Sequence, residues 1–452
     1  MTEVPSPQSH YSKRWIWITV GSVMAVVLLC AGAFTIGSLG LQRLADSSDE
    51  HEPVKRELVE GLLAGHTKAL KERNLEAFLA PFDPADKKLI AAQTRVFQNL
   101  VKIPFGQADF VRRSERNVTP LGAGYTLDLL VAFVHRIGGF DQTPIERPYF
   151  WKLVQDRKNG PLKITGVDRI PSGFNATSRD FYPTPWDKWD DIHVEQTEHV
   201  VQIVDSSLGA EARRHAAALE AAAVENLAAW KASGVDGQVP PGFVVSLVKG
   251  AKELGSLWRV TKEPPTEAGV SISMPSSVFE AADGPAIGGS RVVIDLRSTF
   301  FTDKRSGGPS NIFRHELAHS MTTVLTVGRN IFGADEMSNW VVEGFAEYMA
   351  YSGKSWTTSK RVAGAREELR RDRGEVYLPS NGLWESEGRL SYHYLLGHSA
   401  MSYIAEKYGE EKLFLFVAEH YRGKKDQIPQ LLGVTQEEFQ QQWADEFTKR
   451  MR

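Results

Sequence analysis

The longest uncharged and mainly apolar run of the chain covers residues 15–41, near the N-terminus. About 20 apolar residues suffice to cross a bilayer core about 30 Å thick, so this run predicts a transmembrane helix. Lys13 and Arg14 stand directly before it. By the positive-inside rule, we expect a short cytoplasmic tail at residues 1–14 and a single-pass protein of the cell membrane whose remaining chain is extracytoplasmic.

A cleavable signal peptide is the alternative interpretation of the same run. Ala31, Gly32 and Ala33 resemble a processing site, but the apolar stretch continues beyond them, whereas a signal-peptide core spans about 7–15 residues. An uncleaved anchor is therefore favoured, and both interpretations export the rest of the chain. Cys30 is the only cysteine and Leu29 precedes it, so no lipoprotein signal is predicted and no disulfide is expected.

After this run, the spacing of apolar residues predicts helices first and strands afterwards. Helical periodicity covers residues 54–79 and 84–100. Four strand-like runs follow, at residues 108–112, 125–134, 148–154 and 162–167. Two helices followed by a curved antiparallel sheet predict a cone-shaped α+β domain at residues 42–170, similar in element order to the nuclear-transport-factor-2-like fold. A spacer or interaction module is its expected role.

The composition of residues 171–191 marks a boundary, because they are rich in Pro, Ser, Trp and Tyr and show no period. We interpret them as a linker to a second domain at residues 192–452. Within it, an alternating run predicts an edge strand at residues 193–204, and an alanine-rich run predicts a helix at 210–232. Further strands are predicted at residues 243–248, 270–274 and 291–296, with helices beyond them. The predicted fold class is therefore α+β.

Residues 315–319 read His-Glu-Leu-Ala-His, and this is the part of the chain that indicates a chemistry. Residues four apart share a helix face at about 5–6 Å between Cβ atoms, so His315 and His319 can direct two imidazoles at one metal ion. Glu316 is offset from that face and occupies the position of a base beside a bound water. A catalytic zinc site uses three protein ligands, so a third ligand is required.

The third ligand is expected downstream of the histidine pair. A histidine on the same segment is excluded, because Thr322 and Leu325 stand where a metzincin carries Gly and His. Glu343 is the best candidate, because it opens the apolar and aromatic stretch Glu-Gly-Phe-Ala-Glu-Tyr. Glu347 follows one turn later and shares its face.

The His-Glu-x-x-His motif, together with Trp-x-x-Glu-Gly-Phe-Ala-Glu-Tyr from Trp340 onward, resembles the gluzincin metallopeptidases, especially the bacterial peptidase MA-like group. The resemblance implies a thermolysin-like α+β catalytic domain. It also implies that His315, His319 and Glu343 bind Zn²⁺. Glu316 would then activate the zinc-bound water and pass its proton to the leaving amine. The second glutamate of the stretch would orient a ligating imidazole.

A peptidase site also requires a donor for the oxyanion that develops in the transition state. Residues 391–398 contain several candidates. The peptidase MA-like pattern has a tyrosine shortly before the helix that leads into Tyr408, and both Tyr394 and Tyr392 match it. Tyr394 is the preferred assignment, and His398 is a further option.

Composition narrows the class of protein. The chain has 452 residues and a formal net charge of -3, without a long basic run or a phosphate-binding loop. These features argue against nucleic acid as a partner. The hydrophobic fraction of 42% and the charged fraction of 24% are ordinary for soluble domains, so the exported part is expected to fold around its own cores.

The sequence therefore predicts a membrane-anchored, extracytoplasmic zinc metallopeptidase that hydrolyses bonds in a peptide or protein substrate. An endopeptidase is favoured, because the Gly-Ala-Met-Glu-Asn segment that holds a free N-terminus in the aminopeptidase branch is not found upstream. One alternative is a catalytically inactive pseudo-peptidase acting as an envelope scaffold or binding protein. Another is an exported ligand carrier in which the cone domain binds the ligand and the zinc site is structural.

Overall fold

Three helices and a four-stranded antiparallel sheet form the N-terminal part of the fold. A computed structural model describes residues 53–168, 183–236, 239–258, 267–277, 287–303, 308–326, 337–351, 355–384, 388–424 and 427–452. The predicted tail at residues 1–14 and the predicted anchor at 15–41 lie outside these ranges, as does most of the predicted linker. Within the described ranges, every helix is too short or too polar to span a membrane.

The first sheet follows the predicted order of helices, then strands. Its elements are α1 (Arg56–Lys71), α2 (Leu75–Leu79), α3 (Lys87–Leu100), β1 (Phe105–Leu121), β2 (Gly124–Ile137), β3 (Ile145–Gln155) and β4 (Leu162–Asp168). The strands pair in sequence order, each antiparallel to the next. Three register irregularities between β1 and β2 bend the sheet, because a bulge locally increases twist and curvature. Buried aromatic side chains fill the space between helices and sheet, among them Phe78, Phe133 and Trp151.

The single helix predicted over residues 54–79 is wrong, because the structure breaks it in two. Arg73 has a φ of 54°, in the left-handed region that ends a helix. Asn74 then caps α2, its side chain accepting a hydrogen bond from the N–H of Ala77. The second predicted helix begins at Lys87 because Asp86 caps it in the same way.

The second sheet has five strands in the order β5-β6-β7-β9-β8. The elements of this region are α4 (Pro185–Lys188), β5 (Ile192–Gln196), β6 (Val200–Asp205), a 3₁₀ turn (Ser206–Leu208), α5 (Gly209–Ala232), β7 (Phe243–Val248), α6 (Ala251–Trp258), β8 (Gly269–Pro275) and β9 (Ile287–Asp295). β6, β7 and β9 are parallel, while β5 and β8 run antiparallel at the two edges. The fold is therefore α+β, as predicted.

The single edge strand predicted at residues 193–204 is also wrong. The chain turns at residues 197–199, so that β5 and β6 form a hairpin. Of these two strands, β5 lies at a sheet edge and β6 lies inside the sheet, where the side chains of Val200, Val201 and Val204 are fully buried. Residues 195–199 read Glu-Gln-Thr-Glu-His, and this run of polar residues breaks the alternation where the chain turns.

The loop between β2 and β3 joins the two sheets. Asp141 accepts hydrogen bonds from Arg291 on β9 at 2.6 and 3.0 Å. The N–H groups of Gln142 and Thr143 both donate to the carbonyl of Gly288. Residues 57–452 accordingly form one compact unit. The predicted domain boundary at residues 171–191 falls within this unit and stays a prediction.

The C-terminal region is helical. It comprises α7 (Thr299–Thr302), α8 (Pro309–Thr323), α9 (Asn339–Ala350), a 3₁₀ turn (Trp356–Thr358), α10 (Arg361–Arg371), α11 (Asn381–Trp384), α12 (Leu390–Tyr408), α13 (Glu410–Tyr421), a π-helical turn (Ile428–Leu432) and α14 (Gln436–Met451). A capping box formed by Thr435 and Glu438 starts α14. Trp443 and Phe447 of α14 are fully buried and belong to the core of this region.

A crossing between two glycines brings α9 against α12. A Cβ atom added to Gly344 would lie 2.6 Å from the backbone of Gly397, and one added to Gly397 would lie 2.8 Å from the carbonyl of Trp340. No Cβ atom fits at such distances. The glycine of the Glu-Gly-Phe-Ala-Glu-Tyr stretch therefore permits two backbones to touch.

We predict that Gly344→Ala lowers the free energy of unfolding by about 1–3 kcal/mol, the usual cost of overpacking a core. Alanine would otherwise favour a helix by about 1 kcal/mol. Gly364→Ala in α10 is the matched control, because nothing lies within 4 Å of its added Cβ atom. Denaturant-induced unfolding measures both variants. Equal stability of the two variants would contradict the close crossing.

Candidate metal centre

The two histidines of the motif lie on the face of α8 that turns away from the core. Phe313, Leu317 and Met321 on the other side of the helix are fully buried. Their packing fixes the rotation of α8, because apolar residues spaced three to four apart form one helix face. His315 and His319 consequently point towards α9.

Three ligand atoms converge where α8 faces α9. The Nε2 atoms of His315 and His319 lie 3.2 Å apart. Glu343 Oε2 lies 3.3 Å from each of them. A tetrahedral ion held at about 2.0–2.1 Å, as zinc is by nitrogen and oxygen ligands, separates its ligand atoms by about 3.3–3.4 Å. The three donors therefore have the spacing of a tetrahedral metal site.

The triangle of donors is open on one side. The side chains of His315 and His319 are each 13% exposed, and that of Glu343 is 21% exposed. Such partial exposure leaves room for a non-protein ligand at the fourth tetrahedral position, which distinguishes catalytic from structural zinc sites. The geometry therefore suits a metal site that acts on a bound molecule.

The ionisable groups of the triangle shift one another's pKa values. Burial alone would raise the pKa of Glu343, but His319 and His315 lower it well below its usual range. Burial alone would lower the pKa of His315, but the carboxylates of Glu343 and Glu347 raise it to about 10. A cation shared by these groups would displace the imidazole protons, because metal ligands must be deprotonated.

Glu347 supports His315 from behind, as its predicted position one turn after Glu343 suggests. Its Oε1 atom lies 3.4 Å from His315 Nδ1. Arg361 Nη2 donates to the same oxygen at 3.2 Å. Burial would raise the pKa of Glu347, but Arg361 and His315 lower it to about 2. An ionised carboxylate at Nδ1 fixes the imidazole so that Nε2 presents its lone pair to the metal position.

Glu316 lies beside this triangle in a confined place. Its side chain is buried, and burial raises its pKa even though His315 and His319 lower it in part. Gly269, the first residue of β8, lies against the Glu316 side chain. A Cβ atom added to Gly269 would lie 2.7 Å from Glu316 Oε1. A carboxylate with a raised pKa suits a general base that also returns a proton.

The three candidates for an oxyanion donor occupy different places. The ring of Tyr394 lies 6.1 Å from that of His315, and the Arg361 guanidinium stacks on it at 4.8 Å. Tyr392 instead lies under Arg389, 5.4 Å away. His398 is fully buried, and burial lowers its pKa to about 4. Of the three, Tyr394 is the one whose ring lies close to that of His315, a candidate metal ligand.

Two residues of the site could not be identified from the sequence. Arg361 stands 14 positions after Glu347 by the numbering and belongs to no motif. Gly269 lies on a strand 47 positions before Glu316. Each contact joins segments that only the tertiary fold brings together, and the sequence carries no local signal for either.

A second group of possible ligands lies at the β5–β6 turn, where Glu198, His199 and Glu220 approach one another. Hydrogen bonds within the turn engage two of its members, His199 and Glu220. His199 Nδ1 lies 2.6 Å from Glu220 Oε1, and Glu220 also accepts hydrogen bonds from Thr197 and from the N–H of His199. These contacts account for the cluster as a turn held by hydrogen bonds to Glu220.

Comparison with models of known protein families gives no match. Comparison with curated proteins gives none either. The description of the centre therefore depends on its own geometry.

We predict that the full chain, purified without added metal, carries about one divalent metal ion, as a three-ligand site requires. His315→Ala and Glu343→Ala should each lose it, because two remaining donors hold the ion weakly. His199→Ala is the matched control and should retain it. Elemental analysis of the folded variants measures this. Loss in His199→Ala with retention in His315→Ala would place the metal elsewhere.

Proposed function

We propose that the protein is a zinc-dependent peptidase of the gluzincin type. One observation carries the proposal: two imidazole nitrogens of α8 and one carboxylate oxygen of α9 lie 3.2–3.3 Å from one another. The buried carboxylate of Glu316 belongs to the same helix as the two imidazoles. The same arrangement was expected from the resemblance of the motifs.

Zinc is the metal that the donor set supports best. Magnesium and calcium prefer six or more oxygen ligands, whereas zinc takes nitrogen and oxygen donors in tetrahedral geometry. His315, His319 and Glu343 would hold it. When bound, zinc lowers the pKa of a coordinated water to about 7 and polarises a carbonyl.

The residues around the ligands have separate roles in the proposed reaction. Glu316 is placed to take a proton from the attacking water and to pass it to the leaving amine. The Tyr394 hydroxyl stays protonated, because burial raises its pKa well above the usual range, and so it can donate to the oxyanion. Glu347 holds His315 in the ligating tautomer.

A strand edge beside the base supports a peptide substrate. β8 pairs with β9 and is the last strand on its side of the sheet in the described part of the chain. It begins at Gly269, next to Glu316. An extended peptide that adds to this edge would pass close to Glu316. We further propose an endopeptidase, since no clamp for a free N-terminus was recognised in the sequence.

The proposed location is the cell membrane. Residues 15–41 would anchor the chain with its N-terminus in the cytoplasm, and the peptidase region would be extracytoplasmic. Residues 42–170 would form a cone similar to the nuclear-transport-factor-2-like fold. A thermolysin-like domain at residues 192–452 would carry out the reaction on peptides or proteins outside the cytoplasm.

Glu316→Gln tests the proposal. The substitution keeps the size of the side chain but removes the base, so the folded variant should keep its metal and lose turnover by at least about 100-fold. Mass spectrometry of a peptide mixture incubated with each protein measures new chain ends. Cleavage by both proteins would refute the role of Glu316. Metal binding without cleavage by the wild type would favour the pseudo-peptidase scaffold.

We also predict that Gly269→Ala impairs the reaction without loss of metal. The new methyl group would displace the Glu316 carboxylate, and a displacement of about 1 Å at a reacting group can reduce kcat/KM by about 100-fold. Gly65→Ala in α1 is the matched control, because nothing lies within 4 Å of its added Cβ atom. Assays of peptide cleavage at equal metal content compare the two. Unchanged kcat/KM in Gly269→Ala would contradict the contact.

A further inference from the structure

Arg361 is a buried cation that contacts two different parts of the candidate centre. It begins α10, and its side chain is 10% exposed. One end of its guanidinium donates to Glu347 at 3.2 Å, and the other donates to Ser391 Oγ at 3.3 Å. Its Cζ atom lies over the ring of Tyr394, 4.8 Å from the ring centre. A single side chain thus connects α9, α10 and α12.

We propose that Arg361 is a positioning residue of the metal centre, which holds Glu347 against His315 and at the same time holds the ring of Tyr394 beside the ligands. The proposal rests on the metallopeptidase function proposed above. It assigns a role to a residue outside both motifs.

The first half of this role follows from charge. Glu347 is 7% exposed, and its Oε1 atom is shared between His315 and Arg361. Arg361 Nη2 holds this oxygen in place, so removal of Arg361 would leave the Glu347 side chain free to rotate towards solvent. Such a rotation weakens the support of His315 at Nδ1. Loss of such support behind a metal ligand typically reduces metal affinity by about 10- to 100-fold.

The second half follows from shape. A guanidinium is planar, so it can stack on an aromatic ring while its edge donates hydrogen bonds. A lysine carries a comparable charge, but its ammonium group is not planar and cannot donate two parallel hydrogen bonds. Substitution by lysine should therefore preserve the charge next to Glu347 and release the ring of Tyr394. The two halves of the role can be separated by experiment.

The chain contains a matched control for this arrangement. Arg389 also stacks on a tyrosine, Tyr392, at 5.4 Å. It also pairs with two carboxylates, those of Asp372 and Glu368. The partners of Arg389 are not metal-ligand supports. A purely structural role for buried or stacked arginines would predict similar effects at both positions.

The first measurement is metal affinity of the full chain, by competition with a chromogenic zinc chelator. Arg361→Gln should raise the Kd for zinc by about 10- to 100-fold, as Glu347→Gln should. Arg361→Lys should change it by less than about threefold, since the charge remains. Arg389→Gln should leave it unchanged. An unchanged Kd in folded Arg361→Gln, or an equal increase in Arg389→Gln, would overturn the proposal.

The second measurement is turnover at saturating zinc. Arg361→Lys should lower kcat by about tenfold with little change in KM, because the oxyanion donor is released rather than the substrate site. Combined with Tyr394→Phe, it should add nothing further, since both changes remove the same interaction. Additive losses in the double variant would show that Arg361 does not act through Tyr394.

A double variant serves as the control in case the single variant does not fold. If Arg361→Gln fails to fold, Arg361→Gln with Glu347→Gln removes both charges and leaves neither unpaired. This double variant should bind zinc as weakly as Glu347→Gln alone, and binding as tight as in the wild type would refute the positioning role. A wild type that binds zinc without turnover refutes only the peptidase function. A wild type without zinc binding refutes the centre itself.

Discussion

The close approach of His315, His319 and Glu343 is the constraint on which the rest of the structure depends. Two imidazole nitrogens and one carboxylate oxygen lie 3.2–3.3 Å apart. Without a metal, the Glu343 carboxylate attracts a protonated imidazole, and a shared cation would take the place of the imidazole protons. Core packing on the opposite faces of α8 and α9, through residues such as Phe313 and Phe345, holds the two helices at this distance.

The same packing orders the groups that surround the ligands. Because Gly344 lies against Gly397, α12 approaches α9 closely enough to place Tyr394 beside His315. Arg361 then ties that tyrosine to Glu347. Reactive groups that are supported by rigid helices keep their geometry better than groups on loops. The site is thus a product of helix crossings.

Local spacing explains which parts could be predicted from the sequence. The pair His315 and His319 requires only one helix, and the α+β class requires only the periods of apolar residues, so both were accessible. Tyr392 and Tyr394 could not be separated, because the direction of each side chain depends on the rotation of α12 in the core. Gly269 and Arg361 reach the site through tertiary contacts alone. The helix break at Arg73 depends on one backbone angle that periodicity does not report.

Diffraction from crystals of the metal-loaded protein, recorded on both sides of the zinc absorption edge, tests the central claim most directly. The account predicts one anomalous peak, about 2.0–2.1 Å from His315 Nε2, His319 Nε2 and Glu343 Oε2, with no protein atom at the fourth position. A peak beside His199 instead would contradict the assignment. Four protein ligands at the predicted position would contradict a catalytic role and indicate a structural metal.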